Sequence, residues 1–250
     1  MPATMIRTRG LTKRFGAATA VRELDLEIGA GELFCFLGPN GAGKTTTIKM
    51  LTGLVRPTGG VAEVGGFDVA REPIAAKRLL GYVPDHPFLY DRLTGREFMR
   101  FVAGLYRLPE DGLEARAAAL LESFEILPVA DRLIESYSHG MRQKLSFASC
   151  FLHQPKVVVV DEPWVGLDPK NIRAVKEDLK LRTRDGLTVF MSTHSLAIAE
   201  EMADRIGIIH RGRLLHLGTV AEIKALARNP GSLEDVFLEL TRDDPEEPAA

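Results

Sequence analysis

The segment LFCFLGPNGAGKTTTIKML, Leu33 to Leu51, constrains this chain more than any other stretch of it. An apolar run with strand character leads in and a helical run leads out. Between them GPNGAGKTT, Gly38 to Thr46, fits the spacing G-x-x-x-x-G-K-[ST]. Glycines at those places let the backbone curl until its N–H groups point inward, and the start of the helix adds positive potential. A loop of this build takes phosphate. Its expected contacts are Gly38, Pro39, Asn40, Gly41, Ala42, Gly43, Lys44, Thr45 and Thr46. Lys44 would bring a cation to the β- and γ-phosphates, and the Thr45 hydroxyl would ligate Mg²⁺. An unrelated glycine turn is the alternative, and the flanking strand and helix argue against it. The loop indicates a nucleoside triphosphate and leaves open what is done with it.

The rest of the chain supplies the sheet such a loop needs. LDLEIGAGELFCFLG reads as two strands joined by a glycine turn, with a further short strand near Val61 to Val64 and another in LLGYVP. KVVVVDEP is a continuous β-branched run, suited to a parallel strand buried on both faces. A helix is expected near Pro169 to Arg184, then the strand LTVFMS, a helix from about Ser195, and the strand IGIIH, which Arg211–Gly212 turns into RLLHLG. From Leu93 to Gln154 the pattern is mostly helical, with breaks near Pro109 and Pro128. The expectation is an α/β fold: a P-loop NTPase core with a mainly parallel sheet, an N-terminal antiparallel β subdomain and an inserted helical subdomain. Its parts would be residues 1–92 and 155–228 for the core, 93–154 for the insertion, and 229–250 for a C-terminal helix and acidic tail.

Composition narrows the partners. A formal net charge of −2 and a pI near 6.3 argue against nucleic acid held by bulk electrostatics. Cys35 and Cys150 sit in apolar surroundings, as small buried hydrophobes rather than a disulfide. The N-terminal segment has no apolar signal core, and no run approaches the ~20 residues of a membrane span. A cytoplasmic protein is expected.

Two further stretches carry chemistry. Asp161 ends the VVVVD strand, where a carboxylate can hold Mg²⁺ through water, and Glu162 beside it can polarise an attacking water. Acidic residues also cap strand ends without any role. His194 follows the strand LTVFMS and would emerge at the same sheet edge, within reach of a γ-phosphate; a purely structural histidine is the alternative.

The phosphate loop, the turn YSHGMRQKL (Tyr137 to Leu145) and VVVVDEP come in this order, with the helical insertion between the first two. This arrangement resembles the ATP-binding subunits of ABC transporters over nearly the whole chain. The resemblance implies ATP and Mg²⁺ as ligands, ATP hydrolysis, and dimerisation with an identical or paralogous ATP-binding subunit. It also implies an integral-membrane permease as partner and a place on the inner face of the cell membrane. By the same match Ser138 and Gly140 would contact the γ-phosphate of ATP held by the opposite subunit, with Ser138 also a plain helix N-cap. Phe15 would stack on adenine, its alternative being an edge-strand core residue. Asp168 would bridge the subunits. The segment GYVPDHPFLYDRLTG would sense both Mg²⁺ and the permease, with Asp85 standing where most members carry glutamine. The C-terminal SLEDVFLELT is similar to that of bacterial ABC-2-type exporter ATPases, and an amphipathic helix packing on its own domain explains it equally well. Tyr137, His139 and Met141 depart from the usual Leu-Ser-Gly-Gly-Gln turn, and Trp164 occupies a place normally small or polar. Two rivals share parts of the pattern. A soluble ABC ATPase of translation or DNA repair would carry two domains or a long coiled coil, and a P-loop GTPase would carry an Asn-Lys-x-Asp segment. Neither feature is present. A P-loop GTPase or kinase also has no use for the SHGM turn.

Overall fold

The structure, a computed structural model, describes residues 3–164, 168–226 and 233–242. Strands β1 (Thr4–Phe15) and β2 (Ala18–Gly29) pair antiparallel, and β4 (Gly59–Val64) and β5 (Phe67–Asp68) extend them into a sheet of order β2-β1-β4-β5. Along β2, Leu24, Leu26 and Ile28 are buried and alternate with exposed acids, the period of a strand with one covered face. The second sheet has β3 (Leu33–Leu37), β6 (Leu80–Val83), β7 (Val157–Asp161), β8 (Thr188–Thr193), β9 (Arg205–His210) and β10 (Arg213–Thr219) in the order β10-β9-β3-β8-β7-β6. It is parallel apart from the terminal β9–β10 hairpin. Arg211 and Gly212 both take positive φ in that hairpin, as a tight right-twisted turn requires.

Every residue of β3, β7 and β8 is buried, because both faces of this sheet are covered. Phe34, Phe36 and Phe190 point to one face, their rings 5.4–6.3 Å apart, and pack with the antiparallel sheet and helix α1 (Lys44–Leu51). Leu33, Cys35, Leu37, Val158, Val160, Val189 and Met191 point to the other. There they meet α3 (Gly95–Leu105), α4 (Leu113–Ser123) and α5 (His139–Phe151), along with α6 (Pro169–Arg184) and α7 (Leu196–Met202). The helical insertion therefore shares one continuous core with the sheet. Cys35 and Cys150 are free and buried, and burial pushes the Cys150 thiol up to about 12, so both behave as hydrophobes.

Local chemistry sets the helix ends. Thr94 and Glu97 close a capping box on α3, Ser138 caps α5, and Asp168 caps α6 just ahead of Pro169. Helix α1 stops at Leu51, and Gly53 takes φ +69° in the turn that follows. Short helices α2 (Pro73–Leu79) and α8 (Val220–Lys224) each bury a single side chain, Ala76 and Ile223, so no stripe marks them in the sequence. At the C-terminus, α9 (Leu233–Arg242) seats Leu233 and Val236 in the core beside α7 and α8, so this end packs on its own domain. The acidic tail, 243–250, lies outside the described residues. Among those described, no helix is long and apolar enough to cross a membrane.

Register places the chemistry. Leu37 lies opposite Thr193, and Asp161 opposite Ser192, so β3, β8 and β7 end flush along one edge of the sheet. Phe190→Ala would open a cavity between Phe34 and Phe36 and should cost about 3–5 kcal/mol, read as a lower midpoint in urea unfolding.

Candidate nucleotide-binding site

The loop leaving β3 is held by two close approaches. A Cβ on Gly38 would collide with the Ile209 carbonyl of β9, and one on Gly43 would lie 2.5 Å from the Ala20 carbonyl of β2. Gly43 also takes φ +111° at the N-cap of α1, and no side chain caps that helix among the described residues. Its first N–H groups are therefore left for a ligand. Lys44 is buried, and its Nζ donates to the carbonyls of Gly38 (2.7 Å) and Pro39 (3.2 Å) and stands 3.4 Å from Glu162 Oε1.

Around this loop lies a cleft of about 250 Å³, lined by Ala20, Pro39, Asn40, Gly41, Gly43, Lys44, Thr45, Thr46, Asp85 and Glu162. Gly38 and Ala42 are buried behind it. Asp161 is buried at the end of β7, where Oδ1 accepts from Ser192 Oγ at 2.5 Å while Oδ2 has no hydrogen-bond partner among the described residues. Burial pushes its carboxyl above the ordinary range, against the opposing pull of the Ser192 and Thr45 hydroxyls. With only the Ser192 and Thr45 hydroxyls facing this buried carboxylate among the described residues, and no hydrogen bond formed at Oδ2, it suits a cation. Thr45, Asp161 and Asp85 offer hard oxygens, the donor set of Mg²⁺. Among the described residues no three acidic, histidine or cysteine side chains converge closely enough to hold a metal unaided. Such a set fits an ion that shares its coordination with phosphate oxygens and water.

Glu162 follows Asp161 with φ +43°, and its N–H donates to Ser192 Oγ at 3.2 Å. The turn of the backbone carries its carboxylate between Lys44 and His194, with Oε1 near the Lys44 ammonium and Oε2 2.9 Å from Nδ1 of the exposed histidine. Asp85 is half exposed and binds its neighbour, Oδ1 accepting from the His86 N–H and Oδ2 lying 2.9 Å from the His86 ring.

Other residues singled out in the sequence stand apart from this cleft. Phe15 is 53% exposed, which rules out a core role; it sits under the Lys13 ammonium, 4.9 Å away, on the hairpin whose Ala20 lines the cleft. Ser138 is exposed and accepts from the Met141 N–H at 3.3 Å, so it caps its helix, and neither it nor Gly140 lines the cleft around Lys44. Asp168 accepts from Asn171 N–H at 2.9 Å, which holds its carboxyl below the ordinary range. Trp164 packs against the core with Lys176 over its ring at 5.9 Å, and this accounts for a large residue at that place.

Two polar residues at the site escape the sequence reading. Ser192 binds both acids, and its only signal is a serine directly after the apolar run Val189–Met191, two places before His194. Gln143, fully buried in α5, reaches the Pro84 carbonyl at 3.4 Å beside Asp85; nothing in its local pattern sets it apart from a surface glutamine.

A phosphate-binding loop on a parallel sheet, with an acid pair and a histidine at the same edge, defines a P-loop ATPase. Residues 21–165 match the ABC transporter family. The daunorubicin resistance ATP-binding protein DrrA3 of Streptomyces coeruleorubidus is 37% identical over 225 residues, which span 90% of this chain and 71% of that one. A fluoroquinolones export ATP-binding protein of Mycobacterium tuberculosis is 40% identical over 225 residues, 88% and 72% of the two chains. A solved ATP-binding subunit of an ABC transporter superposes with a TM-score of 0.89 at 33% identity, covering 95% of this chain and 99% of that one. The chain belongs to the ABC transporter family, as an ATP-binding subunit that couples ATP hydrolysis to transport.

Gly43→Ala would force both a strained φ and a clash with Ala20, so the loop should lose its form. Mg-ATP should stabilise the wild-type protein in a thermal-shift assay and leave this variant unmoved, while the variant keeps a cooperative transition.

Proposed function

We propose that this subunit powers a small-molecule exporter. Two copies, or one copy and a paralogue, close on two ATP molecules at the inner face of the membrane and move the helices of a separate permease. The names of the relatives, which concern daunorubicin resistance and fluoroquinolone export, support the direction of transport and the class of cargo. In this reading residues 1–92 and 155–228 form the nucleotide-binding core, 93–154 the helical insertion, and 229–250 a C-terminal appendage. The permease docks where aromatic and apolar side chains stand exposed beside the insertion. Phe88 is 87% exposed and Tyr90 57%, with Phe101 and Leu105 next to them.

The placing of Glu162 carries the mechanism. Its carboxylate stands between Lys44 and His194 at the sheet edge, 3.4 and 2.9 Å away, which suits a general base in front of the phosphate loop. Glu162 takes the proton of the attacking water. Lys44 holds the β- and γ-phosphates, the N–H groups at the start of α1 cradle them, and His194 orients the base and the γ-phosphate. Asp161, Thr45 and, through water, Asp85 would hold Mg²⁺, which would supply positive charge to the phosphate oxygens. Phe15 stacks on adenine. Ser138 and Gly140 serve the ATP of the opposite subunit, and Asp168 lies at the junction. That Ser138 caps its helix is compatible with this role, because phosphate binding and capping use the same N–H groups.

Glu162→Gln tests the central role. ATPase activity should fall by ~10²–10⁴-fold with ATP affinity kept. Light scattering should show the variant accumulating as an ATP-dependent dimer, because closure no longer leads to cleavage. Wild-type turnover by this variant would refute the assignment.

A further inference from the structure

We propose that Ser192 is a positioning residue for ATP hydrolysis: its one hydroxyl aims the free oxygen of Asp161 at the metal and fixes the backbone from which Glu162 projects. This rests on the reading of Asp161 as a metal ligand and Glu162 as base.

Ser192 is fully buried on β8, directly opposite Asp161 in the parallel register. A serine hydroxyl has one proton to give and two lone pairs. Its proton goes to Asp161 Oδ1 at 2.5 Å, the short distance of a charge-assisted bond. One lone pair takes the Glu162 N–H at 3.2 Å. The two bonds act on neighbouring residues in different ways. With Oδ1 engaged, the carboxylate cannot rotate freely, and Oδ2 is left as the oxygen without a partner. Engaging the next N–H anchors the chain where it enters a left-handed turn, φ +43° at Glu162, which a non-glycine residue adopts only when its surroundings impose it. That turn sends Asp161 into the strand end and Glu162 out toward Lys44 and His194. Alternatives for holding the pair are few. Glu162 N–H and Asp161 Oδ1 both use Ser192, so alanine there would strip a partner from each acid at once. Groups that orient a metal ligand typically account for 10–100-fold in metal affinity or activity.

The test compares Ser192→Ala, Ser192→Thr and Asp161→Asn in the full chain, by thermal shift with ATP in EDTA, thermal shift against a Mg²⁺ titration at saturating ATP, and steady-state ATPase. For Ser192→Ala we expect ATP binding in EDTA within about twofold of wild type, a Mg²⁺ half-saturation raised about 10-fold, and kcat lowered about 10-fold or more with little change in KM for ATP. Ser192→Thr, which keeps the hydroxyl, should recover most of both losses. An alanine variant with wild-type Mg²⁺ half-saturation and kcat would overturn the proposal. So would one that loses ATP binding in EDTA together with its Mg²⁺ response, since the hydroxyl would then only hold the fold. Asp161→Asn separates the two levels. If it abolishes the Mg²⁺ response while Ser192→Ala does not, Ser192 alone is misassigned. If it too leaves the response intact, Asp161 is not a metal ligand and the broader reading fails.

Discussion

The flush ending of three parallel strands is the constraint on which the rest of this protein depends. Pairing β3 with β8 and β8 with β7 brings Leu37, Thr193 and Asp161 to one edge, although they lie far apart in sequence. A shift of one residue in either pairing would turn each buried side chain to the opposite face. Such a slip is costly, because Phe34, Phe36 and Phe190 fill one core and Leu33, Cys35 and Val189 the other. Packing on both faces therefore enforces the register, and the register assembles the site.

At that edge the electrostatics are local. Lys44 and Glu162 are both largely buried and 3.4 Å apart. A pair at that separation attracts by ~5 kcal/mol at an effective dielectric near 20, and the desolvation of both ions offsets much of it. The Gly38 and Pro39 carbonyls and His194 complete the shells of the two ions. Glu162 Oε1 also lacks a hydrogen bond but faces the Lys44 ammonium, whereas Asp161 Oδ2 has neither hydrogen bond nor ion pair among the described residues, in a place where burial already disfavours its charge. Charge is thus balanced around Glu162 and left open around Asp161. An incoming Mg²⁺ complex of a phosphate ester is what such an edge can satisfy.

Much of this was legible in the sequence, for physical reasons. The phosphate loop is visible because Gly38 and Gly43 meet backbone carbonyls that tolerate no side chain, and such positions leave glycine as their mark. VVVVD announces a doubly covered strand, and Pro169 and Gly53 punctuate helices, so the elements of the parallel core could be placed along the chain in advance. What stayed hidden depends on register or on contacts far apart in sequence. Ser192 acquires meaning only opposite Asp161, and Gln143 only beside Pro84. Trp164 looked anomalous until its ring was seen against the core and Lys176. Phe15, which the pattern allowed as a core residue, proved exposed because β1 ends there at the hairpin turn.

The central claim is that each hydrolytic site is shared: Lys44 and Glu162 come from one chain, and the turn at Ser138 from the other. In this chain the exposed N-cap of α5 does not line the cleft around Lys44, which is compatible with a shared site. Complementation tests this most directly. Ser138→Arg and Lys44→Ala are each purified inactive and then mixed, with formation of mixed dimers verified by differential tagging. A mixed dimer gathers both defects into one composite site and leaves the other intact, so the account predicts that ATPase activity returns. Hybrids of wild type with Lys44→Ala, one intact site each, serve as the control and should retain partial activity. If mixed dimers form and that control is active, yet the Ser138→Arg/Lys44→Ala mixture stays dead, the sites are not shared between chains.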